Sequence, residues 1–296
     1  MLRCTRSITA QRLPIRRRYP APLVGYEDIR FEQSDGVAVI TLDRPATRNA
    51  FTGRMGVELG DAYRHCDVDD DVRVVVLTGT PPAFCAGADL SRGADTFTGT
   101  GEARSRESFT AAGIDPPAFA IRKPVVAAVN GHAIGIGLTI ALQCDLRFIA
   151  EDGKYGIVQV RRGMLGDAYS HWTLPRIAGL ANAADVLLTG RMFDGREAQT
   201  MGLASRCLPA DEVLPTALEV AHDIAINAAP VSVAVSKRLL WKSFDLTPPE
   251  IEQLESALHL HLMEGPDVRE GPVAFLEERA PEWKQRVSTD FPDWHS

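Results

Sequence analysis

The sequence predicts an α/β fold with buried strands, followed by a helical layer in the last third. Three observations lead there. Short β-branched runs without a helical period recur between residues 37 and 150, a helical stretch separates the first two of them, and strand signals nearly vanish after about residue 180.

The elements follow in order. Val37–Leu42 (VAVITL) and Val72–Leu77 (VRVVVL) read as strands, because branched side chains suit a pleated, buried surface. Between them, Thr52 to about His65 reads as a helix with Thr52 as its N-cap. Pro124–Val129 (PVVAAV) and Leu146–Ala150 (LRFIA) repeat the strand pattern. Asp211–Ala228, Val231–Phe244 and Pro249–His261 are helical by period. Leu254, Leu258 and Leu262 form an apolar stripe on the third of these, suited to a core or subunit contact. With no Gly/Ser linker and no internal repeat, the expected division is a basic leader at 1–25, a core at 26–205 and a helical region at 206–296.

Composition removes most special classes. The 296 residues are 45% apolar and 24% charged, enough for one sizeable core. A net charge of −7 repels phosphate backbones, so a nucleic-acid partner is not expected. Cys4, Cys66, Cys85, Cys144 and Cys207 lack the spacing of a disulfide framework or a metal site, so no metal is expected. Arg3, Arg6, Arg12, Arg16, Arg17 and Arg18 precede the first acidic residue, Glu27. That leader reads as an extension of a bacterial cytoplasmic protein, or as a mitochondrial transit peptide if residues 1–20 are one. Residues 124–144 carry no charge, but Asn130, Gly131, His132, Gly135 and Gly137 interrupt the run. Hydrocarbon does not tolerate such a break, so no membrane partner is expected.

Two glycine-dense loops follow buried strands: Thr78–Leu90 (TGTPPAFCAGADL) and Asn130–Leu138 (NGHAIGIGL), the second opening a helix. Glycine permits close backbone approach to a ligand, and a helix N-terminus offers unpaired N–H groups. Two such loops at neighbouring strand ends can aim two N–H donors at one oxygen, although tight turns alone would also explain either loop. A dinucleotide fingerprint fits poorly, since GHAIGIG lacks the third glycine and no acidic residue follows at the required spacing.

The blocks "RPATRNAF", "AFCAGADL", "KPVVAAVNGHAIGIGLTIALQCDLRFIA", "LPRIAGLANAADVLLTGRMFDGREAQTMGLASRCLP" and "EGPVAFLEER" closely resemble the crotonase (enoyl-CoA hydratase/isomerase) superfamily, in order and spacing, over roughly residues 26–286. The resemblance implies a spiral of ββα units with a C-terminal helical trimerisation region, assembled as a homotrimer or hexamer. It implies an acyl-CoA thioester substrate, with coenzyme A as part of that substrate and no separate cofactor. Its shared chemistry is an enolate whose oxygen is held by two backbone N–H groups, which fall on Ala88 and Ile136. Relatives usually carry glycine where Ile136 stands. Coenzyme A would lie along Arg44, Asn49, Ala86, Gly87 and Asp89, with Phe275 and Lys284 contributing from the C-terminal region or a neighbouring subunit.

The same resemblance exposes a departure. Family hydratases use two glutamates, and here those positions hold Thr139 and Gln159, neither of which titrates as a base. Asp167 falls where the family's enoyl-CoA isomerases carry a catalytic carboxylate, and one carboxylate suffices for a 1,3-proton shift. Double-bond isomerisation is therefore the favoured expectation. A hydratase with non-standard residues, a hydrolase or dehalogenase-like acyl-enzyme route through Asp167, and a non-catalytic CoA-ester binder are the alternatives. Asp167 also has a structural reading, as N-cap of a helix beginning at Ala168. His171, one turn further on, could then share a proton with it. Arg161 and Arg162 suit a solvated charge or a structural ion pair, or the holding of a carboxylated substrate or a CoA phosphate. His132 suits a local hydrogen bond, Cys85 and Cys144 suit packing, and Tyr169 and Trp172 suit an acyl pocket or a helix contact.

Overall fold

A computed structural model of the chain describes residues 25–91, 93–96 and 110–292. The basic leader at 1–24 lies outside these residues. The main sheet has six strands in the order β1 (Ile29–Ser34), β2 (Val37–Leu42), β3 (Val74–Gly79), β5 (Val125–Val129), β7 (Leu146–Ala150) and β9 (Arg206–Leu208). Only the β1–β2 pair is antiparallel. A second parallel sheet has the order β4 (Ala83–Cys85), β6 (His132–Ile134) and β8 (Tyr155–Gly156).

Strand β3 shows why the long strands could be read from the letters. Val75 and Leu77 face the core beneath α1 (Gly53–Val68), while Val74 and Val76 face α5 (Ala210–Asn227). A strand buried on both faces is a continuous apolar run. It begins two residues later than Val72, because Val72 closes a turn on the Asp69 carbonyl and Arg73 and Val74 both donate to the Gly36 carbonyl. Helix α1 starts as expected: the Thr52 hydroxyl accepts from the Met55 N–H at 2.9 Å. Ala217, Ala221 and Ala225 recur every fourth residue on α5, and small side chains there let the helix lie close on the sheet.

The chain on both sides of residue 205 contributes to the same layers. Residues 206–208 form the edge strand β9, and α5 covers the outer face of the main sheet, so both belong to the core layers. The helices beyond are α6 (Pro230–Lys242), α7 (Pro248–Met263), α8 (Asp267–Leu276) and the short α9 (Val287–Asp290). Leu258 of the leucine stripe packs against Val231 and Val235 of α6, with Leu262 partly buried beside them. Among the described residues, no helix is long and apolar enough to cross a membrane.

Candidate active site

Each strand of the small sheet delivers one part of the site at its C-terminal end, where open α/β sheets place their ligands. Strand β4 runs into Ala86–Asp89, β6 into Gly135 and the helix α2 (Ile136–Ala141), and β8 toward Gln159. Gly87, at φ +100°, packs so closely on β6 that a Cβ there would stand 2.9 Å from the Ile134 carbonyl oxygen. The Phe51 N–H donates to the Gly87 carbonyl, and the Asp89 N–H donates to the Phe51 carbonyl. Ala88 is held between these two bonds, and its own N–H donates to nothing among the described residues. Ile136 is the first residue of α2, so its N–H also lacks an intrahelical acceptor. Both expected donors are thus at the same end of the small sheet and unspent.

The Ile136 side chain is 7% exposed and turns toward Gly113, with its Cδ1 3.2 Å from the place a Cβ would occupy there. Phe51 flanks the same spot.

Asp167 is half-buried, and it is held by the two positions where family hydratases carry glutamates. The Thr139 hydroxyl lies 3.0 Å from Asp167 Oδ1, and Gln159 Nε2 donates to the same oxygen at 3.1 Å. No other side chain among the described residues donates to this carboxyl group. Burial lifts the Asp167 pKa above the ordinary aspartate value, and the bonds from Thr139 and Gln159 pull it back only in part. The result is a carboxyl group better suited to exchanging a proton than an exposed aspartate.

The N-cap reading of Asp167 does not hold. Helix α3 (Ser170–Thr189) begins three residues later, behind Ala168 (φ 45°) and Tyr169 (φ 65°), and its N-cap makes no side-chain bond. Two successive non-glycine residues in the left-handed region cost roughly 1–3 kcal/mol each, so neighbouring bonds must hold them. The Ala168 N–H donates to the Ala111 carbonyl, and the buried Gln143 donates to the Ala168 carbonyl at 3.2 Å. Gln143 was not among the expected site residues; only the fold reveals that it braces the peptide next to Asp167. Because Asp167 precedes the helix, the helical spacing to His171 does not apply, and His171 is exposed.

Other side chains fall away from this centre. Tyr169 and Trp172 join an aromatic cluster with Phe119 and Trp241, where the Trp172 and Trp241 rings stack at 5.4 Å. His132 Nδ1 accepts the Lys154 N–H, a local bond. Arg161 and Arg162 are exposed, and Arg161 donates to the Thr189 carbonyl. The Cys85 and Cys144 thiols are buried, and burial pushes each up to about 12, which keeps them inert.

The expected coenzyme A residues divide into three groups. Ala86 and Gly87 line the β4 loop, and Arg44 pairs with Asp89 at 2.9 Å over it. Asn49 is fully buried, its amide donating to the Thr80, Ala83 and Phe84 carbonyls while Oδ1 accepts the Arg44 N–H. Its side chain is committed to shaping the loop, which leaves it no free donor for a ligand. Phe275 is 83% exposed at the end of α8, and the Lys284 ammonium pairs with Glu282. Neither side chain shares a hydrogen bond or ion pair with the residues around Asp167 among the described residues.

The sequence profile of the enoyl-CoA hydratase/isomerase family matches residues 32–286. The chain belongs to that family. An enoyl-CoA hydratase of Alternaria alternata is 36% identical over 255 residues, covering 86% of this chain and 85% of its own. A crystal structure described as a probable enoyl-CoA hydratase/isomerase from Mycobacterium abscessus superposes with a TM-score of 0.83 at 51% identity, covering 87% of this chain and 99% of that one. The enoyl-CoA hydratase structure from Mycobacterium tuberculosis gives a TM-score of 0.76 at 30% identity, covering 87% and 98%. The mixed α/β fold is therefore that of the crotonase superfamily, and an acyl-CoA thioester is its class of substrate. Among the described residues, no cluster of potential metal ligands occurs.

Proposed function

We propose that this family member moves the double bond of a 3-enoyl-CoA to the conjugated 2-position, with Asp167 as its single proton carrier. The observation that carries this reading is the pair of bonds from Thr139 and Gln159 to Asp167 Oδ1. Positions that would supply two bases in a hydratase instead supply two donors to one carboxylate.

In this mechanism the Asp167 carboxylate removes a proton from C2, and the C–H electron pair moves into the thioester to form the enolate. The Ala88 and Ile136 N–H groups receive the charge on the thioester oxygen, each worth roughly 10²–10³ in rate. The protonated Asp167 then delivers the same proton to C4 while the electrons return. The double bond has moved from C3–C4 to C2–C3, and Asp167 is ionised again.

Hydration is the competing reading, because the curated relatives carry hydratase names. A paired assay separates the two through the absorbance of the conjugated thioester. Isomerisation makes absorbance grow from a 3-enoyl-CoA and leaves a 2-enoyl-CoA unchanged. Decay from the 2-enoyl-CoA, with no growth from the 3-enoyl-CoA, overturns the proposal.

A further inference from the structure

Helix α2 reaches the loop that carries Asp167 twice. Its first residue, Ile136, supplies an oxyanion donor, and Thr139, one turn on, meets Asp167 Oδ1. Gln143 stands a further turn along, where the helix closes and the Gln143 N–H donates to the Ile140 carbonyl. It is fully buried, and both ends of its amide are in use. Nε2 donates to the Ala168 carbonyl at 3.2 Å, and Oε1 accepts the Ala118 N–H at 3.4 Å. Turning the amide over would break both bonds, so its orientation is fixed.

Gln143 touches no reacting atom in the proton shift, yet it holds a peptide that needs support. Ala168 at φ 45° and Tyr169 at φ 65° are left-handed without the freedom of glycine. The peptide before Ala168 is tied at both ends: its N–H donates to the Ala111 carbonyl, and its carbonyl, that of Asp167, accepts the Ser170 N–H. The carbonyl of the peptide after Ala168 is held by Gln143. Thr139 and Gln159 thus hold the carboxyl group of Asp167, while Gln143 holds the backbone beside it. Proton transfer from carbon depends steeply on where the base stands, and a misplacement of about 1 Å costs roughly a hundredfold.

We infer that Gln143 is a positioning residue: by locking the left-handed Ala168 peptide onto α2, it sets where Asp167 stands relative to the oxyanion donor on the same helix. The inference deepens the proposed mechanism. It rests on Asp167 as the proton carrier and not on where the double bond ends.

Butanoyl-CoA labelled with deuterium at C2 tests it. Asp167 takes the deuteron to form the enolate, exchanges it with water and returns a proton, so the label washes out with no double bond to move. The washout rate at saturation, counted per thioester bound, and the Kd are measured for wild type and for Gln143→Met, which keeps the length and removes both bonds. The rate is expected to fall about 10- to 100-fold while Kd stays within about twofold. Lost folding alone would lower the number of sites that bind and leave the rate at each site unchanged. If Gln143→Met does not fold, Ala168→Gly relieves the left-handed strain, and the double variant is compared with Ala168→Gly alone, with the same fall expected. A per-site rate within about twofold of its reference overturns the inference, as does a weaker Kd at unchanged rate, which would place Gln143 in binding. No washout from wild type removes Asp167 as the proton carrier and this inference with it. Washout without conjugation of a 3-enoyl-CoA fails the isomerase reading alone and leaves the comparison of rates standing.

Discussion

The Thr139 hydroxyl lies 3.0 Å from Asp167 Oδ1 and 3.1 Å from the Ile136 carbonyl oxygen, and its one proton can serve only one of them at a time. When Asp167 is ionised, Thr139 donates to it. When Asp167 has taken a proton, the acid can donate to the Thr139 oxygen while Thr139 turns its own proton to Ile136. A hydroxyl placed this way accommodates both protonation states of a proton carrier without any movement of heavy atoms.

Thr139→Val keeps the shape and removes the hydroxyl. The bond to a charged carboxylate is worth roughly 1.5–3 kcal/mol, so kcat should fall about 10- to 100-fold. The Thr139 bond lowers the Asp167 pKa, and its loss should move the rising limb of the pH–rate profile to higher pH. Thr139→Ser should restore both rate and limb. A profile that stays in place in Thr139→Val would show that the hydroxyl does not touch the reacting group.

Asp167 also makes a stability prediction with a definite sign. Burial raises its folded-state pKa above the unfolded value of roughly 3.9, so between those two values the folded chain binds more protons than the unfolded one. Stability from this group is present below the unfolded pKa and is lost as pH rises through the folded pKa. Asp167→Asn, which cannot ionise, should therefore melt higher than wild type at pH 7, and the gap should close toward pH 4. Melting curves across that range check it. An equal gap at both ends would assign the effect to packing.

Gly87 is at φ +100° with the Ile134 carbonyl against its Cα, so Gly87→Ala must displace the β4 loop. Loss of alignment of the Ala88 N–H should cost about 10²–10³ in kcat. A variant that folds with near-normal circular dichroism and retains full rate would remove Ala88 from the oxyanion role.

Asn49→Ala leaves the Thr80, Ala83 and Phe84 carbonyls and the Arg44 N–H without their side-chain partner. Destabilisation of about 2–4 kcal/mol is expected, measured by denaturant unfolding. A loss under 1 kcal/mol, with a raised KM for the CoA ester, would return Asn49 to a ligand-binding role.

The long strands were legible because burial on both faces writes itself as unbroken runs such as VVVLTG in β3. The strands β4, β6 and β8 have two or three residues each, too few to show any period, and they were missed. Their pairing is what gathers Ala88, Ile136 and Gln159. Asp167 was found through resemblance, and its role as a cap was a fair inference from a residue that favours that position. What no spacing could reveal is that Thr139, 28 residues earlier, and Gln159, eight residues earlier, both converge on its Oδ1. Asn49 is assigned to the ligand by the same resemblance, which says nothing of the fold closing over it and committing its amide to three loop carbonyls.

The most direct test of Asp167 as the single proton carrier is the rate of conjugation of a 3-enoyl-CoA by wild type and by Asp167→Asn at matched fold and substrate occupancy. General acid–base catalysis contributes roughly 10²–10⁴, so the variant should lose at least a hundredfold in kcat while still binding the thioester. Retention of activity within tenfold would contradict it and place the proton on another group.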